Sequence, residues 1–374
     1  MNYRMIHPPR EPVLVSLRPL PRTVAIAGVL CAVLVTSGTA YALLLGCGGA
    51  EAPEPVTAPP PVRRTLMVSG AASSLTRLTQ DPAEESRPVL SPDQHVLMFS
   101  AAREEQGRYT AEVIVSVDPA TGARRTIYTP EQAFSGQVAW MPDGSAFVYR
   151  SNRSGPWALV RSLSVSPNSG VAIMMDENQA PQIGWPSVAP DGRKVAAHAV
   201  IAGTPSIITL DVGTSQYAIL GEGTQPNFDA TGERIAFARR VGPSVQLFTM
   251  RASDGTDLVQ VSGGAFSAEA PCYSPDGRWI AFVSNRSSSS TQPLLDGTQN
   301  LFAIHPDGSG LTQLTDGNAV NGAPHWATDG FIYFSSNQTG NSDIWRLLPE
   351  GEVRALPPQA APPIVPEPAD GAAP

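Results

Sequence analysis

The chain has 374 residues, of which 25 are basic and 33 acidic, and its formal net charge at pH 7 is −8. This charge, together with the lack of a basic cluster after residue 22, argues against a nucleic-acid-binding protein. Only three cysteines occur, which excludes a small disulfide-stabilised fold, and no disulfide is expected.

The N-terminal segment, residues 1–47, has the pattern of an export signal or a membrane anchor. Residues 24–45 carry no charge, and four arginines precede them: Arg4, Arg10, Arg18 and Arg22. A positive flank before an apolar run is typical of secretory signals and of membrane spans. The run ends in Leu-Leu-Gly-Cys-Gly, which resembles a bacterial lipobox and predicts lipid attachment at Cys47. Two alternatives stay open, an uncleaved membrane span and signal-peptidase cleavage after Ala42.

Two segments rich in proline and alanine flank the rest of the chain. Residues 48–64 predict an extended linker, since proline-rich sequences favour the polyproline II conformation. Residues 357–374 have the same composition and predict a disordered tail. Residues 65–356 lie between them and are predicted to form the globular domain.

This central region repeats one phrase six times: an apolar stretch, a turn of the Pro-Asp-Gly kind and a second apolar stretch. The turns lie at Pro92–Asp93, 142–144, 190–192, 230–232, 275–277 and 328–330. Proline presets φ in such a turn, aspartate bonds its own backbone and glycine supplies a positive φ. A period of about 40 to 53 residues is typical of a β-propeller.

Five of the six repeats also carry a proline four residues before the first residue of the turn, and all six carry a bulky side chain two residues after that position. The prolines are Pro88, Pro186, Pro226, Pro271 and Pro324, with Val138 in the second repeat. The bulky residues are Leu90, Trp140, Val188, Phe228, Tyr273 and Trp326. This spacing predicts a first strand with proline at its first residue, where the missing N–H costs no sheet hydrogen bond.

Three more β-rich runs follow the first strand in a repeat. Four strands per unit make the blade of a propeller, so the sequence predicts an all-β fold, a six-bladed β-propeller of four-stranded antiparallel blades. Outer-strand candidates occur at both ends of the region, as 75–79 and 352–356. We expect the N-terminal candidate, Leu75–Thr79, to pair into the last blade and close the ring.

The repeated aspartates of the turns invite a catalytic or calcium-binding interpretation. They are Asp93, Asp143, Asp191, Asp276 and Asp329. Because they occupy equivalent turns of different blades, they cannot converge on one substrate. We interpret all five as structural turn residues.

Residues 270–286, APCYSPDGRWIAFVSNR, together with Leu-Thr-Gln-Leu-Thr at 311–315, resemble the WD40-like repeat of the TolB propeller family. The resemblance covers roughly residues 65–356, and its six copies match the six blades of that family. TolB carries an α/β domain ahead of its propeller, whereas a proline-rich linker occupies that place here. The resemblance implies an envelope protein that binds another protein, as TolB binds a peptidoglycan-associated lipoprotein.

The sequence offers little for catalysis. No Gly-x-Ser-x-Gly nucleophile elbow occurs, and the five histidines are scattered without metal-ligand spacing. His325 follows a strand proline, a position that can face the channel, but we interpret it as a structural histidine. We therefore predict no catalytic residues, no cofactor and no metal.

The loops that join the second and third strands, and those that join blades, are predicted to rim the channel mouth. The longest is 287–299, and loops held by a rigid scaffold commonly carry recognition. The leading hypothesis is an exported, membrane-anchored, monomeric propeller that binds a cell-envelope protein or peptide at this mouth. Two alternatives stay open, a polysaccharide lyase or glycosidase with residues on the channel axis and a structural or sensory lipoprotein.

Overall fold

Strands make up almost all of the regular structure. In this computed structural model, the structure describes residues 35–36, 39–40, 66–105, 108–128, 134–175, 183–286 and 297–355. The chain divides into two units, Met1–Pro61 and Val62–Pro374. Four short strands precede the first blade: β1 (Val35–Thr36), β2 (Thr39–Ala40), β3 (Leu66–Val68) and β4 (Ala72–Arg77). In the first unit, β1 pairs with β2 in antiparallel fashion.

The second unit contains six antiparallel sheets of four strands each. The first blade consists of β5 (Glu84–Leu90), β6 (Leu97–Glu105), β7 (Arg108–Val117) and β8 (Arg124–Tyr128). The second consists of β9 (Ser135–Trp140), β10 (Ala146–Ser151), β11 (Ala158–Leu163) and β12 (Ser166–Met175). The third consists of β13 (Gly184–Val188), β14 (Lys194–Ile201), β15 (Thr204–Asp211) and β16 (Tyr217–Glu222). The fourth blade consists of β17 (Thr224–Phe228), β18 (Arg234–Val241), β19 (Ser244–Arg251) and β20 (Val259–Gln260). The fifth consists of β21 (Ala268–Tyr273), β22 (Ile280–Ser284), β23 (Asn300–Ile304) and β24 (Thr312–Gln313), and the short strand β25 (Thr315–Gly317) follows it. The sixth contains β26 (Asn321–Trp326), β27 (Ile332–Ser336) and β28 (Asp343–Pro349).

The first strands of the six sheets surround a common axis. Each of β5, β9, β13, β17, β21 and β26 contacts the first strands of both neighbouring sheets, and the series closes on itself. The predicted six-bladed β-propeller of four-stranded antiparallel blades is therefore confirmed.

The N-terminal strand closes the ring. In the sixth blade, β26, β27 and β28 are joined by β4, whose Thr76 lies opposite Arg346. One strand earlier, β3 pairs with β25 at the outer edge of the fifth blade. The expectation that the N-terminal candidate completes the last blade is confirmed, with the strand beginning at Ala72. The C-terminal candidate is instead a short 3-10 turn, Gly351–Val353.

The core is a set of layers between neighbouring blades. The second strands β22 and β27 are buried along their whole length, as their continuous apolar sequences predict for strands covered on both faces. Phe99, Phe147 and Phe334 have no exposed surface, and burying one such side chain contributes about 1.5–3 kcal/mol. The buried apolar side chains form clusters, and each cluster joins residues of two neighbouring blades. Each blade is therefore stabilised by its contacts with the blades on both sides.

The predicted position of the repeat proline is wrong. Pro88 lies fifth in β5 and Pro271 lies fourth in β21, rather than first. At these positions the pairing with the second strand shifts by a β-bulge, between Ser86 and Val89 in β5 for example. The bulge leaves the proline without a partner on the second strand, so the sheet needs no N–H at that residue, which explains how proline is accommodated in mid-strand.

Among the described residues, none belongs to a helix of the length and apolar character that a membrane crossing requires.

Candidate functional site

A central cavity of about 440 Å³ lies on the axis of the propeller. All six first strands contribute to its wall. Its rim is formed by the turns between first and second strands, through Pro92, Pro142, Pro190, Ala230, Pro275 and Thr328. Cavities of this volume, with mostly apolar walls and a few polar groups, are the usual form of ligand sites.

The repeated turns that form this rim contain the five aspartates singled out in the sequence. In each case one carboxylate oxygen accepts a hydrogen bond from the backbone N–H two residues further on. The acceptor–donor pairs are Asp93 with His95, Asp143 with Ser145, Asp191 with Arg193, Asp276 with Arg278 and Asp329 with Phe331. The pKa of the Asp143 carboxyl is lowered, and the hydrogen bond from the Ser145 N–H is the largest cause. The carboxylates thus stabilise the turns in which they lie.

The first strands bend at one layer of residues below the rim. At this layer the residue before each repeat proline, or before Val138, has a positive φ although none is glycine. The residues, with their φ values, are Arg87 (55°), Gln137 (59°), Trp185 (51°), Gln225 (58°), Ala270 (52°) and Ala323 (44°). A left-handed conformation costs a non-glycine residue about 1–2 kcal/mol, so interactions around the ring must compensate for six such costs.

Hydrogen bonds between blades provide part of that compensation. The Oε1 atom of Gln137 accepts the N–H of Trp185 at 2.7 Å, and Oε1 of Gln225 accepts the N–H of Ala270 at 2.8 Å. Further along the strands, side chains bond to the N–H of the bulky residue in the next blade. These bonds join Ser187 to Phe228 at 3.0 Å, Asn227 to Tyr273 at 2.8 Å and Cys272 to Trp326 at 3.3 Å. The bulges are therefore tied to the neighbouring blades through specific side chains.

One positive charge lies in the cavity wall at this layer. The guanidinium carbon of Arg87 lies 4.5 Å from the centre of the Trp185 ring, a cation–π arrangement. Burial lowers the pKa of Arg87 to about 10, with a smaller lowering by Arg150 and an opposing effect of Glu112. Arg87 therefore stays charged at pH 7 in spite of its partial desolvation.

A second arginine lies close by but is paired. Nη2 of Arg150 lies 3.3 Å from Oε2 of Glu112, and its guanidinium lies over the Trp157 ring at 4.1 Å. Gly136 makes room for this pair, since a Cβ there would come within 2.3 Å of a Glu112 oxygen. Burial, followed by the charges of Arg87 and Arg150, lowers the pKa of His198 to about 4. His198 is therefore neutral at pH 7.

His325 lines the cavity, which is the position that a channel-facing histidine would occupy. Burial lowers its pKa to about 4, so the imidazole is uncharged at pH 7. The cavity wall also contains Asp229, whose carboxylate accepts hydrogen bonds from Thr231 Oγ1 at 2.8 Å and from the Arg234 N–H at 3.1 Å. Within the described residues, no group of three or more His, Cys, Asp or Glu side chains is arranged to hold a metal ion.

Several predicted features fall outside the described residues. Cys47 and the apolar run that precedes it are among them, as is most of the loop 287–299. The proposed rim of loops on that side therefore stays a prediction. The third cysteine, Cys272, is buried between the fifth and sixth blades, and burial raises the pKa of its thiol to about 11.

Sequence reasoning missed both the cavity on the turn side and the role of Arg87. The repeated prolines of the turns were visible in the sequence and are the signal that marks this rim. Nothing local distinguishes Arg87, because its environment depends on Trp185 from a blade two repeats away.

No protein-family model matches the chain. In sequence it is similar to the Tol-Pal system protein TolB of Syntrophus aciditrophicus, with 39% identity over 84 residues, which are 22% of this chain and 17% of that protein. The matched segment thus spans about a sixth of that relative.

In structure it is similar to TolB from Acinetobacter baumannii, with a TM-score of 0.54 and 18% identity over 72% of this chain and 63% of the other. A gluconolactonase from Xanthomonas campestris has a TM-score of 0.53 and 15% identity over 77% of this chain and 95% of the other. That likeness shows the shared fold alone. The chain therefore carries a six-bladed β-propeller that is similar to TolB over part of its sequence and in its fold.

Proposed function

We propose that this chain is a binding propeller of the cell envelope that receives a peptide segment of another envelope protein in its central cavity. The observation that carries the proposal is the cavity itself, about 440 Å³ in volume and walled by all six first strands. The likeness to TolB supports a role in protein binding, because the related protein is named as a component of the Tol-Pal system.

The chemistry of the wall favours recognition of a peptide. Proline rings and the aromatic residues Trp140, Trp185 and Tyr273 provide apolar surface, whereas Arg87 and Asn227 provide polar groups. The inner edges of the six first strands also face the axis, and strand edges carry backbone groups that can pair with an extended chain. An extended peptide can use both kinds of contact.

The same wall offers little support for general acid–base catalysis. Asp229, the one carboxylate among the described residues of the wall, is bonded within its own turn, whereas glycosidases use a pair of carboxyl groups. His325 has a pKa of about 4, far from the value near neutrality at which a general base is most effective. These properties support binding over the lyase and glycosidase alternatives.

The location at the envelope rests on the N-terminal sequence. We propose that the chain is exported and held at the membrane, by lipid on Cys47 or by an uncleaved span of residues 24–45, with the propeller facing the periplasm or the cell surface. A mass spectrum of the N-terminal peptide separates these alternatives. An unmodified peptide that runs through Cys47 contradicts lipidation.

Site-specific photo-cross-linking in the producing bacterium tests the binding function. A photoreactive phenylalanine derivative replaces Val188, which lines the cavity, or Tyr217, which is 51% exposed on the outer strand of the same blade. We expect an adduct with an envelope protein from position 188 and none of the same mass from position 217. Adducts that do not differ between the two positions contradict the proposal.

A further inference from the structure

The charge of the central cavity is not balanced. Among the described residues that line it, Arg87 is the one permanently charged cation and Asp229 the one carboxylate. Asp229 belongs to the rim turn of the fourth blade, where Thr231 and the Arg234 N–H hold it. Arg87 lies deeper, at the layer of the bulges. The two charges therefore occupy different levels of the cavity.

Arg87 has no ion pair or hydrogen bond with any residue that the structure describes. Its described contact is the Trp185 ring at 4.5 Å. Stacking of a guanidinium on an aromatic ring leaves its edge free, and this edge carries the donors that match a carboxylate in a two-pronged hydrogen bond. A ligand carboxylate in the cavity would provide the partner that Arg87 lacks.

The neighbouring ionisable groups do not neutralise Arg87. Glu112 pairs with Arg150 at 3.3 Å and also attracts Arg87 more strongly than Arg150 repels it, so one carboxylate is shared between two arginines. His198 is uncharged at pH 7, since its pKa is lowered to about 4. One positive charge is left over in a partly desolvated environment, where an opposite charge interacts more strongly than it does in water.

The depth of Arg87 below the turn-side rim limits which carboxylate can reach this charge from that side. Arg87 lies five residues before Pro92 of the rim, a depth of roughly 16 Å at about 3.3 Å per strand residue. The strands enclose this depth on all sides, so an acidic side chain from a loop that rests on the rim is too short. A chain that enters end-first reaches it, and about five extended residues span the depth.

We propose that Arg87 binds the C-terminal carboxylate of a peptide that enters the central cavity with its C-terminus first. This inference rests on the proposed peptide-binding function and adds the end of the partner that is recognised. An N-terminal ammonium group in the same place would be repelled by the arginine. The Arg87–Trp185 stack holds the guanidinium ready for the carboxylate, which reduces the entropy lost on binding.

The variant Arg87→Gln tests this role with little risk to the fold. Glutamine already occupies the equivalent bulge position in the second and fourth repeats, as Gln137 and Gln225, with nearly the same φ. The matched control is Arg240→Gln, which removes one positive charge from an exposed position at the end of β18. Thermal unfolding of both variants verifies that the ring is intact.

Binding is measured by NMR titration of the isotope-labelled full-length chain in mild detergent, with three short peptides. The first is acetyl-Ala-Leu-Ala with a free C-terminal carboxylate, and the second is its C-terminal amide. The third, acetyl-Ala-Leu-Asp amide, carries its carboxylate on a side chain. We expect the free acid to bind the unmodified chain at least tenfold more tightly than either amide, because hydrogen bonds between charged groups contribute about twice the energy of neutral ones.

In Arg87→Gln the advantage of the free acid should disappear, and in Arg240→Gln it should remain. Equal affinity for acid and amide, or an equal loss in both variants, overturns the inference and leaves peptide binding intact. Tighter binding of the aspartate peptide assigns the site to side-chain carboxylates and overturns the inference as well. If no peptide binds at up to roughly 5 mM, the carboxylate inference fails, and the cross-linking result from position 188 still decides the proposed function.

Discussion

The ion pair between Arg77 and Asp343 joins the two ends of the ring. Arg77 is the last residue of β4, and its Nη2 lies 2.7 Å from Oδ2 of Asp343, the first residue of β28. The Asp343 side chain has no exposed surface, whereas that of Arg77 is 26% exposed. Thr339 Oγ1 donates a second hydrogen bond to the same carboxylate oxygen at 2.6 Å. The substitution Arg77→Gln therefore leaves a buried carboxylate without its countercharge.

Removing one partner of a buried ion pair costs about 3–5 kcal/mol. Because Arg77 is partly exposed, we expect a loss near the lower end, about 3 kcal/mol of unfolding free energy. Taking roughly 2 °C per kcal/mol for a domain of this size, the midpoint of thermal unfolding should fall by roughly 6 °C. The double variant Arg77→Gln with Asp343→Asn should recover part of this loss, since it removes the unpaired charge.

Urea unfolding followed by circular dichroism measures these differences. The matched control is Arg251→Gln, because Arg251 is 53% exposed and approaches Asp254 and Asp257 only at 3.9 and 3.8 Å. A surface pair of this kind contributes about 0–1 kcal/mol. If Arg77→Gln costs no more than the control, the ring is not closed through β4 in the way that the structure indicates.

Three further outcomes follow from buried groups. Burial raises the pKa of Glu85 in spite of its bond to Arg124, so the folded chain keeps the Glu85 proton to a higher pH than the unfolded chain does. The unfolding free energy should therefore fall as pH rises from the unfolded to the folded pKa of this carboxyl group. Glu85→Gln should flatten this part of the pH profile. Cys272 should not react with a thiol reagent at pH 8 until the chain unfolds, since its thiol is buried and its pKa is about 11; reaction in the folded state contradicts its placement. Gln137→Ala should cost about 1–3 kcal/mol in urea unfolding, because it leaves the Trp185 N–H without its partner.

The architecture was predictable because its signals are local. The turn residues, the two apolar runs around them and the period of the repeat describe each blade without reference to its neighbours. The closing strand followed from a count, since one more outer-strand candidate existed than six blades require. In the structure the closing strand is Ala72–Arg77 instead of 75–79, and it pairs into the last blade as predicted.

The bulges were not predictable, because their causes lie in other blades. Trp185 and Ala270 adopt a positive φ that their residue types disfavour, and their N–H groups are held by Gln137 and Gln225 of the preceding blades. A proline in mid-strand depends on the same geometry. The pairing of Arg87 with Trp185 is a property of the assembled ring, and for this reason the sequence alone did not identify Arg87 as a site residue.

The central claim, that the cavity receives the partner from the turn side, is tested most directly by blocking its mouth. Ala230 is an exposed rim residue, and Ala120 is an exposed residue in an outer turn of the first blade. The measurement is the yield of the partner adduct from the photoreactive residue at position 188, in the unmodified chain, in A230W and in A120W. The account predicts at least a tenfold lower yield in A230W and an unchanged yield in A120W, since a large side chain at the rim excludes the peptide. An unchanged yield in A230W would contradict entry of the partner through this mouth.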